Sequence, residues 1–270
     1  MATVRVATLN IWNRFGPWEE RLVAIRAALA TLKPDVLAMQ EVLRSPVGAE
    51  EFDQARLVGA GFGLDHVAWG RAPEEGGFPV GNAILSRWPL EREAVHPLPM
   101  LDADDLRAVT AADVRTPFGV LPVYSTHLCY RLHHGYVREA QVFDLAAFVN
   151  GRRVPGHMPP VIMGDFNADP DSQEIRFMRG LVAMQGRSAY FADAFAVAGD
   201  GSPGTTFSRS NPFTASWREP NRRIDYVFVG ERDERFRGDV LSAAVAFDAM
   251  VDGVHPSDHF GVVADVFVGD

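Results

Sequence analysis

Cysteine and lysine are almost absent from this sequence. The one cysteine, Cys129, excludes an intramolecular disulfide framework and any zinc or iron–sulfur site built from several thiolates. The one lysine, Lys33, leaves positive charge to arginine, and 26 basic residues stand against 35 acidic ones for a formal charge of -9. Such a balance provides no general basic coat for nucleic acid, although a local basic groove remains open. No run of about 18 apolar residues occurs, so no segment reads as a bilayer-spanning helix. The start, MATVRVATLNIW, lacks a basic stretch followed by an apolar one and enters a strand pattern at once. The expectation is therefore a cytoplasmic protein. There is no repeat at a fixed period and no low-complexity stretch.

What is present suits an ordinary globular protein. Of 270 residues, 47% are hydrophobic, 23% charged and 10% aromatic, enough for a large core and unlike a disordered or fibrous chain. Length alone allows one or two domains.

Val4, Val6, Thr8 and Ile11 sit among β-formers and predict an opening strand ending near Asn10. Pro17, Glu19 and Glu20 suit the start of a helix, and Leu22, Ile25, Leu29 and Leu32 recur at helical spacing until Pro34 stops it. Val36 to Met39 is a short continuous apolar run, the pattern of a strand buried on both faces. A second strand–helix–strand passage is expected at Leu121 to Leu128, Gly135 to Asn150 and Val161 to Gly164. Gly81 to Ser86 and the pair flanking Thr116 to Gly119 read as hairpin strands. Arg223 to Val229, Val240 to Phe247 and Phe260 to Val268 read as strands. Gly199 to Asn221 is either a linker or a long functional loop.

Polar residues cluster where these strands end, the place at which open sheets bind ligands. They are Asn10 in TLNIW, Glu41 in MQEV, His127 in YSTHL, Asp165 and Asn167 in MGDFN, and Asp258 and His259 in HPSDHF; Asp225 lies within RRIDYVFV. Carboxylates, imidazoles and amides without an activated nucleophile suit a hard divalent cation held by oxygen, a water to be activated and an anion to be stabilised. Taken singly, Glu41 also reads as a cap of the next segment and Asn10 as a turn former. Asp165 and Asn167, two apart, face the same way if the segment is extended. Ser172 or Asp171 is expected to cap a helix beginning near Gln173.

In order, the segments LN, QE, GNAILSR, THL, GDFN, RIDYVF and SDH resemble the endonuclease/exonuclease/phosphatase superfamily from Thr8 to Asp265. The resemblance implies one catalytic domain over residues 1–270, an α/β fold with a four-layer α/β sandwich: two mixed β-sheets face to face with outer helices. It implies a metal-dependent phosphoester hydrolase. Glu41 would be the principal ligand of Mg2+ (Mn2+ also suits), with Asn10 and Asp258 as further metal contacts. Asp165 and His259 would jointly activate water and stabilise phosphate, with Asp225 orienting His259. Asn167 and Asn10 would contact the phosphate, and His127 the phosphate or the leaving group. Asn82, Arg138 and Gln141 read equally as packing or substrate contacts, and His133 and His134 as solvated.

For the substrate, the near absence of lysine argues mildly against duplex nucleic acid. Arg131, Arg138, Arg152, Arg153, Arg209, Arg218, Arg222 and Arg223 would have to gather on one face to bind it. Arg222 and Arg223 read by default as a solvated pair. The expectation leans to a small or lipid-derived phosphodiester or phosphomonoester hydrolysed by a monomer, with no stable membrane insertion. A nuclease acting on DNA or RNA is the alternative. A non-catalytic binding module is a remoter one, disfavoured because the set of site residues is complete. Phe207, Phe213 and Trp217 are expected either to anchor their own loop or to line a substrate pocket.

Overall fold

The computed structural model describes residues 2–47, 50–71, 79–101 and 105–269. Strand β1 (Ala2–Asn10) passes through helix α1 (Trp18–Leu32) to β2 (Val36–Val47). Lys33, with φ 48, closes the helix by returning its amide to Leu29, just before Pro34. Short β3 (Glu50–Asp53) and α2 (Gln54–Gly59) follow, then β4 (His66–Gly70) and β5 (Val80–Ser86). The second half begins with β6 (Leu90–Pro97), β7 (Ala108–Thr116) and β8 (Gly119–His127). Helix α3 (Gly135–Gly151) then crosses over to β9 (Val161–Asp165), and α4 (Gln173–Met178), β10 (Phe191–Asp193) and α5 (Ala194–Ala198) follow. Three strands close the chain: β11 (Asp225–Gly230), β12 (Val240–Ala246) and β13 (Gly261–Gly269).

The strands form two mixed sheets, ordered β12-β13-β1-β2-β5-β4, with β3 on β2, and β10-β11-β9-β8-β7-β6. Each contains one parallel pair, β1 with β2 and β8 with β9, joined by α1 and α3 as the chain requires for parallel neighbours. Alternation along each strand separates two faces. Val4 and Val6, Val36 and Ala38, Val123, and Val161 and Met163 meet in the core between the sheets. Leu9, Leu37 and Met39 pack outward with Ile25 and Leu29 of α1, while Ile162 and Tyr124 pack with Leu145 and Val149 of α3. The result is the expected four-layer sandwich. No helix among the described residues is long and apolar enough to cross a membrane.

The sequence reading passed over β3, α2, β4, β6, β10 and α5. These short elements carry little period, and β6 has only half-buried and exposed residues, alternating in part. Gly199 to Asn221 is a loop applied to the site: Phe207 bridges to both Arg222 and His259.

Candidate active site

Period two aims the polar residues into one gap. Asn10 shares its face of β1 with Val4 and Val6, His127 its face of β8 with Val123, and Asp165 its face of β9 with Val161 and Met163. Asp225 pairs with Asp165 across β11 and β9. The segment 258–259 enters β13, which runs antiparallel to β1, so it arrives at the same end of the sandwich. Below them Gln40 donates from one sheet to Ser125 of the other at 3.1 Å, a buried polar layer that separates the site from the apolar core.

Glu41 reaches the gap by breaking the alternation. The β2–β5 register shifts between Met39 and Val42, and Glu41 takes a left-handed φ of 57. This bulge re-aims the side chain. Asn10 then joins the two sheets: its Nδ2 donates to Glu41 Oε1 and to Asp165 Oδ2, each at 3.1 Å.

Asp165 is the hub. Its Oδ2 lies 3.3 Å from His127 Nε2 and 3.8 Å from His259 Nε2. Its Oδ1 accepts the amide of Asn167 at 2.9 Å. That last bond corrects the expectation of an extended segment: Asn167 has a φ of 51, so a tight turn, not strand alternation, brings its amide to the pocket. Its Nδ2 donates to the carbonyl of Leu128 at 3.1 Å.

Burial works against charge on His259, but Asp225, Asp165 and Asp258 outweigh it and raise its pKa well above the ordinary value. The loop holds this pair: Thr206 Oγ1 accepts the amides of Ile224 and Asp225, and Phe207 meets the His259 ring edge-on at 5.1 Å. His127 moves the other way. Burial, then Arg107 and His259, push it well below its usual pKa, so it is a neutral imidazole. Burial raises Asp165, and raises Asp258 to about 6 with a further push from Glu41.

Among the described residues of the site, two groups have the chemistry to hold a cation. Asp165, Asp225 and His259 offer ligand atoms within 4.8 Å of one another. Asp225, however, is fully enclosed, and His259 Nδ1 already faces it at 3.0 Å. This trio is better described as a charge network. Glu41 and Asp258 line the pocket, with Asn10 bonded to Glu41. Their carboxylates repel one another, and a divalent ion with oxygen ligands relieves that repulsion. The donor set therefore fits a hard divalent cation.

The pocket is a concavity of about 700 Å³. Glu41, Asn82, His127, Asp165, Asn167, Asp258 and His259 contribute to its lining, and so do Trp12, Phe207 and Trp217.

Of the secondary expectations, the solvated arginine pair is corrected, and the contacts of Arg138 and Gln141 are those of the packing alternative. Arg222 and Arg223 are buried, the first paired with Asp169 and Glu219, the second with Asp193 at 2.9 Å. Arg138 is buried against Glu174 at 2.7 Å and against the carbonyls of Cys129 and Arg131. With Gln141, which accepts the Cys129 amide, it fixes the turn after β8. Glu174 thus serves Arg138 besides standing in the first turn of α4, and Ser172 sits at the N-cap position without a side-chain cap bond. Asn82 donates to the Ala108 carbonyl at 2.8 Å while lining the pocket.

Sequence reasoning missed Arg21. It is fully buried on α1 and donates to the carbonyls of Ile11, Asn13, Phe15 and Pro256, between 2.7 and 3.1 Å. It clamps the turn after Asn10 to the turn before Asp258; burial lowers its pKa to about 10. The only signal was a charged residue on the apolar stripe of an amphipathic helix.

The fold and the rim of polar side chains define a two-sheet sandwich scaffold with its site at one end of the sheets. The chain belongs to the endonuclease/exonuclease/phosphatase family, whose model matches residues 7–259. Members of this family typically cleave phosphoesters. Among solved structures, an endonuclease/exonuclease/phosphatase from Beutenbergia cavernae is 27% identical with a TM-score of 0.72, covering 100% of this chain and 72% of its own. Truncated Caenorhabditis elegans TDP2 is 18% identical with a TM-score of 0.73, covering 98% of each chain. The human Nocturnin catalytic domain with bound sulfate anion is 22% identical with a TM-score of 0.70, covering 98% of this chain and 94% of its own. The last two share the fold. No curated protein matches the sequence.

Proposed function

We propose that this chain is a divalent-metal-dependent phosphoester hydrolase, in one catalytic domain, that attacks phosphorus with an activated water. The observation that carries this reading is the double hydrogen bond from Asn10, which sets Glu41 beside the Asp165–His259–Asp225 network in one pocket. Glu41, Asn10 and Asp258 would hold Mg2+ or Mn2+. When bound, such an ion offsets the charge of the phosphate.

The remaining work falls to the chain's own groups. His259, kept protonated by Asp225, faces developing negative charge on the phosphoryl oxygens. Asp165, its pKa raised by burial, orients the attacking water and takes its proton. Neutral His127 and the amide of Asn167 contact non-bridging oxygens. The attack leaves an alcohol or a phosphomonoester and needs no covalent enzyme intermediate.

A small or lipid-derived substrate is favoured over duplex nucleic acid. Of the arginines that would have formed a basic groove, Arg138, Arg222 and Arg223 are tied up in buried ion pairs. A monomer acting in the cytoplasm is the proposed setting. The test is a panel of nucleic acids, phospholipids, inositol phosphates and a chromogenic diester with Mg2+ or Mn2+, each beside Glu41→Ala. Turnover lost in that variant supports the reading, and metal-independent turnover or none at all refutes it. Strong cleavage of plasmid or single-stranded DNA would reverse the substrate preference.

A further inference from the structure

Part of the pocket wall has no place in hydrolysis. Phe15, Leu106, Tyr130 and Trp217 line the pocket with 57%, 41%, 47% and 50% of their surfaces exposed. Trp12 joins them on a backbone that is costly to hold. Trp12 and Asn13 both take left-handed conformations, with φ of 54 and 45. The Trp12 backbone amide donates to Asn10 Oδ1 at 3.0 Å, so the chain at Trp12 is tied to the side chain that joins Glu41 and Asp165.

The indole is supported from several sides. It packs on Phe213 at 5.1 Å, and the Arg21 guanidinium lies 5.0 Å from its ring. Gly16, at φ 62, passes so close that a Cβ there would come within 2.7 Å of the ring. An aromatic residue that only filled space would need neither a left-handed backbone nor a glycine beneath it. Other charges along this wall include Arg107, paired with Asp105 at 2.8 Å, and Glu219, paired with Arg222 at 2.8 Å, beside Arg71. Aromatic side chains make up a large share of the surface beside the phosphate site.

We propose that Trp12, with Phe15 and Trp217, forms a stacking platform for a flat ring carried by the substrate. The favoured phosphoester then joins its phosphate to an aryl or nucleobase-bearing group. This rests on the hydrolase reading for the phosphate half of the site, while the platform itself is tested by binding alone.

The experiment compares ligands that share a phosphoryl group and differ in the ring. Phenylphosphonate is paired with methylphosphonate, and adenosine 5'-monophosphate with ribose 5-phosphate. Binding is measured by calorimetry, with Ca2+ replacing Mg2+ to suppress turnover. In the unchanged protein each ring-bearing compound is expected to bind about tenfold tighter than its partner, the scale of one stacked ring. The preference should vanish in Trp12→Leu and survive in Trp12→Phe, which also reports on folding. The first pair separates a simple aryl group from the nucleobase of the second.

Equal binding within both pairs overturns the proposal, as does an unchanged ring preference in Trp12→Leu. Sedimentation with phosphatidylcholine–phosphatidylserine vesicles that is lost in Trp12→Leu, without any ring preference, would overturn it in favour of a lipid surface. Ring preference without turnover of any phosphoester would refute the hydrolase reading and leave the platform standing. Turnover without ring preference does the reverse.

Discussion

His259 holds its Nδ1 3.0 Å from Oδ2 of Asp225, a carboxylate with no exposed surface. The other oxygen of Asp225 has no hydrogen-bond partner among the described residues, so its charge is spent on the imidazole. Folding therefore favours the protonated ring. The stability this contributes is full below about 6.5, the ordinary histidine value, and is lost as pH rises through the raised value. Asp225→Asn should lower the His259 pKa in an NMR titration. It should also cut turnover by about 10²-fold, the scale of a positioned electrostatic group. An unchanged titration would mean that Asp225 does not set the charge of the ring.

Glu41→Ala and His259→Ala are each expected to lower turnover at least about 10²-fold. They differ in their response to metal. Mg2+ should raise the melting temperature of the parent protein and of His259→Ala, because a ligand that binds only the folded state stabilises it. It should leave Glu41→Ala unmoved. A full Mg2+ shift in Glu41→Ala would take the metal away from that carboxylate.

Asp258 sits in the site at a cost to the metal-free fold. Burial lifts its pKa from 3.8 to about 6, so folding favours the neutral acid. That preference is present below the unfolded value and is lost as pH rises through the folded one. Near pH 8 the ionised carboxylate then costs on the order of 3 kcal/mol. Asp258→Asn should raise the metal-free melting temperature by several degrees at pH 8 and hardly at all at pH 3.5. The same variant should bind Mg2+ more weakly in calorimetry. Destabilisation at pH 8 would contradict this account.

Gly164 precedes the hub residue Asp165 and stands opposite Thr126 of β8. Its φ is 150, and a Cβ there would lie 1.9 Å from the Thr126 carbonyl oxygen. Gly164→Ala should cost roughly 2 kcal/mol or more in urea unfolding and should lose activity as Asp165 shifts. Gly151→Ala, where a Cβ meets nothing within 4 Å, serves as the control.

The eight candidate residues were legible because each sits in a short motif next to a buried strand, and burial leaves a sharp pattern of apolar runs. The strand–helix–strand passages around α1 and α3 were legible for the same reason. Arg222 and Arg223 were not, since Asp169 and Asp193 lie 53 and 30 positions away and Glu219, three residues before Arg222, pairs with it in a loop that carries no strand or helix period. Asn167 was read to the right place by the wrong route: its turn follows from a bond to the Asp165 carboxylate that strand alternation does not contain.

The amino-acid sequence by itself determined the alternation that builds two buried sheets, the order of the polar strand ends, and a carboxylate–imidazole chemistry suited to a divalent ion. These are local properties, set by the side-chain period of strands and by residue type. Only the tertiary structure decided how those ends converge. It supplied the bulge that turns Glu41 into the gap and the Asn10 bridge to Asp165, 155 positions away. It also supplied the burial that pushes the His127 pKa down and the buried carboxylates, Asp225 foremost, that outweigh burial and raise that of His259. Electrostatics and hydrogen bonding depend on distance in space and on exclusion of water, and neither is encoded by spacing along the chain.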